Sequence, residues 1–113
     1  MIITHYAFGT MTANGKTFSK DLIILPDHIH SPWWRKEGHL LQIEDLSEVV
    51  NAGLPLLIVG TGFHGAMKVP VEVRDYLKLK HIEVIIKKTA DAVTYYNTKA
   101  AADRTAAAFH LTC

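Results

Sequence analysis

The chain has 113 residues, 49% of them hydrophobic and 20% charged, a size and balance that suit one folded domain with its own core and exclude an intrinsically disordered chain. Twelve Lys and Arg against eleven Asp and Glu leave a net charge of +1, too weak a field to draw nucleic acid or an anionic membrane. The one cysteine, Cys113, permits no intrachain disulfide, and the longest apolar run, Leu54 to Val59, is far shorter than the ~20 residues of a membrane-spanning helix. With no signal-peptide pattern at Met1 to Tyr6, the expectation is a cytoplasmic protein without membrane insertion.

The first thirty residues are rich in β formers, and Asn14-Gly15 between Met11-Thr12 and Thr17-Phe18 is a two-residue hairpin signal, because both turn residues tolerate positive φ. An N-terminal meander is therefore predicted, with Asp21 to Leu25 continuing it as an apolar strand that stops at Pro26. From Pro26 to Leu41 no period is sustained, so the segment reads as a long loop. Glu44 to Ala52 reads as a short helix with acidic residues in its first turn and Gly53 past its end.

Leu54 to Val59 is apolar at consecutive positions, the mark of a strand covered on both faces. A helix is predicted from Pro70, with Val69, Val73, Tyr76 and Leu77 forming one stripe. Ile82 to Ile86 reads as a strand, Thr89 as the N-cap of a helix over Ala90 to Ala102, and Thr105 to Leu111 as a closing strand. Strands alternating with helices over the last sixty residues predict one α/β domain spanning 1–113, built on a mostly parallel sheet with the hairpin appended.

Gly60-Thr61-Gly62-Phe63-His64-Gly65 fits G-x-G-x-x-G directly after a strand. Its context argues against a dinucleotide. The next helix starts at Pro70 instead of inside the motif, and the following strand ends in Lys87-Lys88 where an acidic residue would hold a ribose. No cofactor is expected. A weaker reading survives, in which the freed amides of the glycine loop cradle a small anion. Both this loop and the Trp33 to His39 loop follow strands, so they are expected to share one crevice.

Seven histidines invite a metal, and His28-Ile29-His30 places two imidazoles on one face of an extended segment, but an H-x-H pair lacks the three or four ligands of a zinc site. No metal is expected. His5, His81 and His110 read as hydrogen-bonded structural residues. No G-x-S-x-G elbow is present, and Lys78, Lys80, Lys87 and Lys88 suit helix ends without nucleic acid. Ser31-Pro32-Trp33-Trp34-Arg35-Lys36-Glu37-Gly38-His39 stands out, because two adjacent tryptophans cannot point the same way. One anchors the loop and the other is available to an interface or a pocket wall. Arg35 and His39 either present anion-binding or proton-transfer groups, or pair with a surface carboxylate and cap local backbone.

The glycine loop after a strand, then Thr89-Ala90-Asp91-Ala92-Val93-Thr94-Tyr95-Tyr96-Asn97, then Arg104-Thr105-Ala106-Ala107-Ala108, resembles the Mth938-like domain family (DUF498). The Trp-Trp-Arg-x-x-Gly-His segment and the Phe-His-Leu-Thr-Cys ending resemble its prokaryotic members. Asp103 departs from the family's usual glycine before the arginine. The resemblance implies a three-layer α/β fold with a central mixed sheet and no established catalytic activity or cofactor. Because a mitochondrial relative is an assembly factor for respiratory complex I, it also implies a domain that works through protein contacts. The leading expectation is a non-catalytic protein-binding or assembly module, through a partner or self-association, whose surface includes Trp33 or Trp34 and the glycine loop. The alternative is an enzyme or small-anion binder using Arg35, His39, His64 and the backbone of the loop from Gly60 through Thr61 and Gly62 to Gly65.

Overall fold

The computed structural model describes residues 1–113. Strands β1 (Ile3–Ala7), β2 (Thr10–Ala13) and β3 (Lys16–Phe18) form an antiparallel meander in which the Asn14-Gly15 turn carries the positive φ of 52° and 77° that its residue types favour. The second sheet contains β4 (Leu22–Ile24), β5 (Ile29–His30), β6 (Leu56–Gly60), β7 (Glu83–Lys87) and β8 (Thr105–Phe109), in the order β5-β4-β8-β6-β7. Helix α1 (Ser47–Ala52) follows a 3-10 turn over Ile43–Leu46, and α2 (Val71–Leu79) and α3 (Thr89–Lys99) connect the parallel strands.

The β8-β6 and β6-β7 ladders are parallel, whereas β4 runs antiparallel to both β8 and β5. The sheet is therefore mixed, with β4 the one reversed strand. This corrects the expectation that Asp21 to Leu25 continues the meander. Leu22, Ile23 and Ile24 are all buried, and a strand buried on both faces needs a place inside a covered sheet.

Side-chain alternation along the strands splits the core into two layers. Leu57, Val59, Ala106 and Ala108 face α1 and α2, where they meet Leu46, Val49, Val73 and Leu77. Ile58, Ala107 and Phe109 face α3 and the meander, where they meet Met11, Ala92 and Tyr96. The alanines of β8, which sits between β4 and β6, keep both covering layers close to the middle of the sheet.

Several helix ends differ from expectation: α3 stops at Lys99 instead of Ala102, and the stretch expected as helix from Glu44 is a 3-10 turn until Ser47. Pro70 is the N-cap of α2, whose first helical residue is Val71. Thr89 is not the cap of α3 but its first residue, capped by Lys88, and its buried hydroxyl accepts from Gly62 N at 2.9 Å and donates to His110 O at 2.6 Å. A threonine at a helix start satisfies the local rule for capping, yet here the longer-range bonds take its oxygen. Gly53 ends α1 at φ 66°, as its position suggested.

Replacing Leu57 or Ile58 with Ala should each lower unfolding stability by ~2–5 kcal/mol, because each is fully buried against a different layer. Urea denaturation that gave losses well below about 1 kcal/mol at both positions would contradict a sheet covered on both faces.

Candidate functional site

The carboxyl ends of β6 and β8 and the amino end of β4 lie along one edge of the sheet, since Leu22 pairs with Phe109, and Gly60 with Phe109 on the other side. The carboxyl ends of parallel strands are the end of the sheet at which α/β folds place ligands. Asp21 stands there, one residue before β4. Its main-chain oxygen accepts from Trp33 N at 2.8 Å and from Ser31 Oγ at 3.1 Å. Its carboxylate accepts from Arg35 Nη2 at 2.7 Å and His110 Nδ1 at 2.8 Å on Oδ2, and from Leu111 N at 2.8 Å on Oδ1. Arg35 Nη2 and His110 Nδ1 lie 3.0 Å apart because they share an acceptor.

The Asp21, Arg35 and His110 side chains are 16%, 4% and 6% exposed. Burial by itself would raise the Asp21 carboxyl, but the bonds from His110, the Leu111 amide and Arg35 together outweigh it and hold the group below the usual carboxylate range. Asp21 is thus an anion at neutral pH with its charge met by three donors. Accepting from Nδ1 orients the His110 ring and fixes which nitrogen carries the proton. Nε2 of His110 and Nε and Nη1 of Arg35 are buried without a hydrogen-bond partner, so the Asp21–His110 pair meets no hydroxyl or thiol that it could activate.

Above this cluster lies a cleft of about 390 Å³ lined by Ser19, Lys20, Asp21, Arg35, Gly38 and Thr112, with Trp33 and Trp34 among its apolar walls. The two tryptophans divide as their adjacency required. Trp33 is 4% exposed, donates Nε1 to Asp45 O at 2.9 Å and carries the Arg35 guanidinium 4.6 Å above its ring, whereas Trp34 is 73% exposed. Arg35 also donates to Gly38 O at 3.0 Å. His39 is exposed, with its ring edge-on to His110 at 5.6 Å.

The glycine loop does not offer the anion cradle expected of it. Thr61 N donates to Lys87 O, Gly62 N to Thr89 Oγ1, Phe63 N to Thr112 O, His64 N and Ala66 N to Cys113 O, and Gly65 N to Gly62 O. Nor does it share a crevice with the tryptophan loop, because residues 110–113 run between them. Gly62 has φ 113°, and a Cβ there would sit 2.5 Å from Thr112 O, so this glycine is demanded by close approach of backbone to backbone. Gly60 is demanded likewise, with Phe109 and Thr89 side chains 2.8 Å from any Cβ. His64 is exposed and packs its ring against Phe63 at 5.0 Å, beside Phe8.

His28 pairs with Asp27 and His30 with Glu48, and no group of three or more His, Cys, Asp or Glu side chains is arranged around a common point. Of the residues singled out from the sequence, Trp33, Trp34 and Arg35 come together at the cleft, while Gly60, Thr61, Gly62 and His64 lie behind the 110–113 segment. Asp21 was missed, and His110 was read as a hydrogen-bonded structural residue with no partner named. The sequence signal is slight: Asp21 closes the polar run Ser19-Lys20-Asp21 before the apolar Leu22 to Leu25, and His110 is a polar residue between Phe109 and Leu111.

Because the Asp21 carboxyl titrates lower in the folded than in the unfolded chain, the unfolded state binds more protons between the two values and stability rises with pH there. That contribution is complete above the unfolded value of about 3.9 and is lost as pH falls through the folded one. Asp21→Asn should be less stable than the parent at neutral pH and should show a shallower fall in acid, followed by circular dichroism. Equal acid slopes in both proteins would refute this role, since the other two lowered carboxyls, Asp27 and Glu44, are fully exposed and screened.

Residues 3–111 match the family model described as "Protein of unknown function (DUF498/DUF598)". Among solved structures, the chain is similar to conserved hypothetical protein PH1505 from Pyrococcus horikoshii OT3, with 27% identity over 100% of both chains and a TM-score of 0.84. It is similar to MT938, with 26% identity over 99% of this chain and 98% of that one and a TM-score of 0.80. A Bartonella henselae protein called an outer membrane protein is 26% identical over 98% of this chain and 94% of its own, with a TM-score of 0.82; no helix of the present chain is long and apolar enough to cross a membrane. With a mixed sheet between two covering layers and a family match over nearly its whole length, the chain belongs to the DUF498 family and has the Mth938-like α/β fold.

Proposed function

We propose that the domain is a protein-binding module that takes a segment of its partner into the cleft beneath Trp34. The observation that carries this reading is the exposure of Trp34, at 73%, on the wall of a concave site. Tryptophan is the residue most enriched among those that dominate binding energy, and its burial by a partner recovers a large apolar area. A second exposed aromatic pair, Phe8 at 52% and Phe63 at 45% with rings 5.9 Å apart, lies outside the cleft, on the side of residues 110–113 where the glycine loop is held.

The internal bonding supports a protein partner over a small anion. The glycine-loop amides are all engaged within the chain, and Arg35 is held by Asp21, Gly38 and the Trp33 ring. One observation favours a second reading. Arg35 Nε and Nη1 have no acceptor, and a carboxylate or phosphate entering the cleft would suit a guanidinium if the Trp34 wall moved aside.

A random peptide library displayed on phage and selected against the protein decides between them. Peptides should be recovered whose binding weakens at least about tenfold with Trp34→Ala and whose addition shifts the amide resonances of Ser19, Lys20, Gly38 and Thr112. Failure to enrich any such peptide, together with a saturable rise in melting temperature on adding phosphate that Arg35→Ala abolishes, would overturn the proposal in favour of the anion site.

A further inference from the structure

We propose that the chain forms a two-fold dimer by pairing β7 antiparallel with β7 of a second copy, joining the two five-stranded sheets into one. Strand β7 ends the sheet and pairs only with β6. Glu83 N donates to Pro55 O and Lys87 O accepts from Thr61 N, so residues 83 and 87, and by alternation 85, turn their backbone groups toward β6. Val84 and Ile86 turn theirs outward, away from any ladder. A five-residue edge of this composition, Glu-Val-Ile-Ile-Lys, with Ile86 36% exposed, is a template for another strand.

The side chains specify which strand. In a two-fold antiparallel register centred on Ile85, Val84 faces Ile86 of the second copy and Ile86 faces its Val84, so the outward N–H and C=O groups meet as hydrogen-bonded pairs. Glu83 then faces Lys87 of the second copy, and Lys87 its Glu83, in the closer non-hydrogen-bonded positions where opposite charges attract most. Sliding the register by two residues in either direction breaks both charge pairs. Charges at sheet edges commonly guard against pairing; here one acid and one base at symmetric ends attract in a single register and lose their partners in the neighbouring ones. Glu83 and Lys87 are both exposed, with Lys87 Nζ 5.7 Å from the Tyr95 ring on α3. This edge is separated from the cleft by β6 and β8, so the inference stands apart from the reading of the cleft.

Sedimentation equilibrium across a concentration series tests it. The parent chain should dimerise reversibly, and Glu83→Lys and Lys87→Glu, each leaving the monomer folded by circular dichroism, should each raise the dimer dissociation constant at least about tenfold by setting like charges opposite. The double variant E83K/K87E restores both pairs and should return to within about threefold of the parent. A monomer at every concentration, a dimer insensitive to the single reversals, or a double variant no better than the singles would overturn the proposal. So would a dimer dissolved by Trp34→Ala, which would place self-association at the cleft.

Discussion

The carboxylate of Asp21 accepts from three nitrogens belonging to two parts of the chain far from it in sequence, while its main-chain oxygen takes two more donors from the loop that follows β5. Five bonds at one residue convert a glycine-, proline- and tryptophan-containing loop without helix or strand periodicity into a wall of defined shape. Trp33 is pinned by its amide to Asp21 and by its indole to Asp45, Arg35 lies on its ring, and Trp34 is left facing outward because its neighbour faces in. The exposure of Trp34 is thus a product of how Asp21 is satisfied. A buried charge pair of this kind contributes little net stability compared with apolar packing, but removing one member is costly because the other stays buried and uncompensated. Its structural value lies in the geometry it enforces.

Residues 110–113 complete the same arrangement from the other side. Leu111 O accepts from Gly9 N and the Tyr6 hydroxyl, Thr112 O from Phe63 N, and Cys113 O from His64 N and Ala66 N. The meander and the glycine loop are therefore fastened to one extended segment, which also meets the Asp21 cluster through His110 and the Leu111 amide. The glycines that suggested a phosphate loop serve this fastening: Gly62 lets the loop backbone touch the segment, and the amides freed by tight turning are spent on its carbonyls.

Most of the architecture was legible because it rests on local rules. The apolar run of Leu54 to Val59 marked a buried strand, which forms over Leu56–Gly60 with Leu54 and Pro55 left outside it; Asn14-Gly15 marked a tight turn and Gly53 a left-handed helix end. Asp21 to Leu25 does contain a strand, and only its placement in the meander failed, although Leu22, Ile23 and Ile24 lack the alternation that a half-exposed meander strand would show. Trp33 and Trp34 were separable in role from their adjacency alone, though not which faced inward. What could not be read was the pairing of groups distant in sequence. Nothing near Asp21 announces Arg35, fourteen residues on, or His110, eighty-nine residues on, and the Thr89 hydroxyl obeys a capping rule in sequence while bonding across the fold in space. The anion cradle failed for the same reason, because free amides were inferred from glycines without knowing what would lie against them.

The claim on which the rest depends is that the Asp21 carboxylate and the Arg35 guanidinium hold the tryptophan loop as one coupled unit. A double-mutant cycle with Asp21→Ala and Arg35→Met, read by urea unfolding, measures that coupling directly. Each single variant should be destabilised by about 3–5 kcal/mol, and the double variant should be more stable than the sum of the two losses implies, with a coupling of about 1–3 kcal/mol. Additive losses, with a coupling within about 0.5 kcal/mol of zero, would contradict the account.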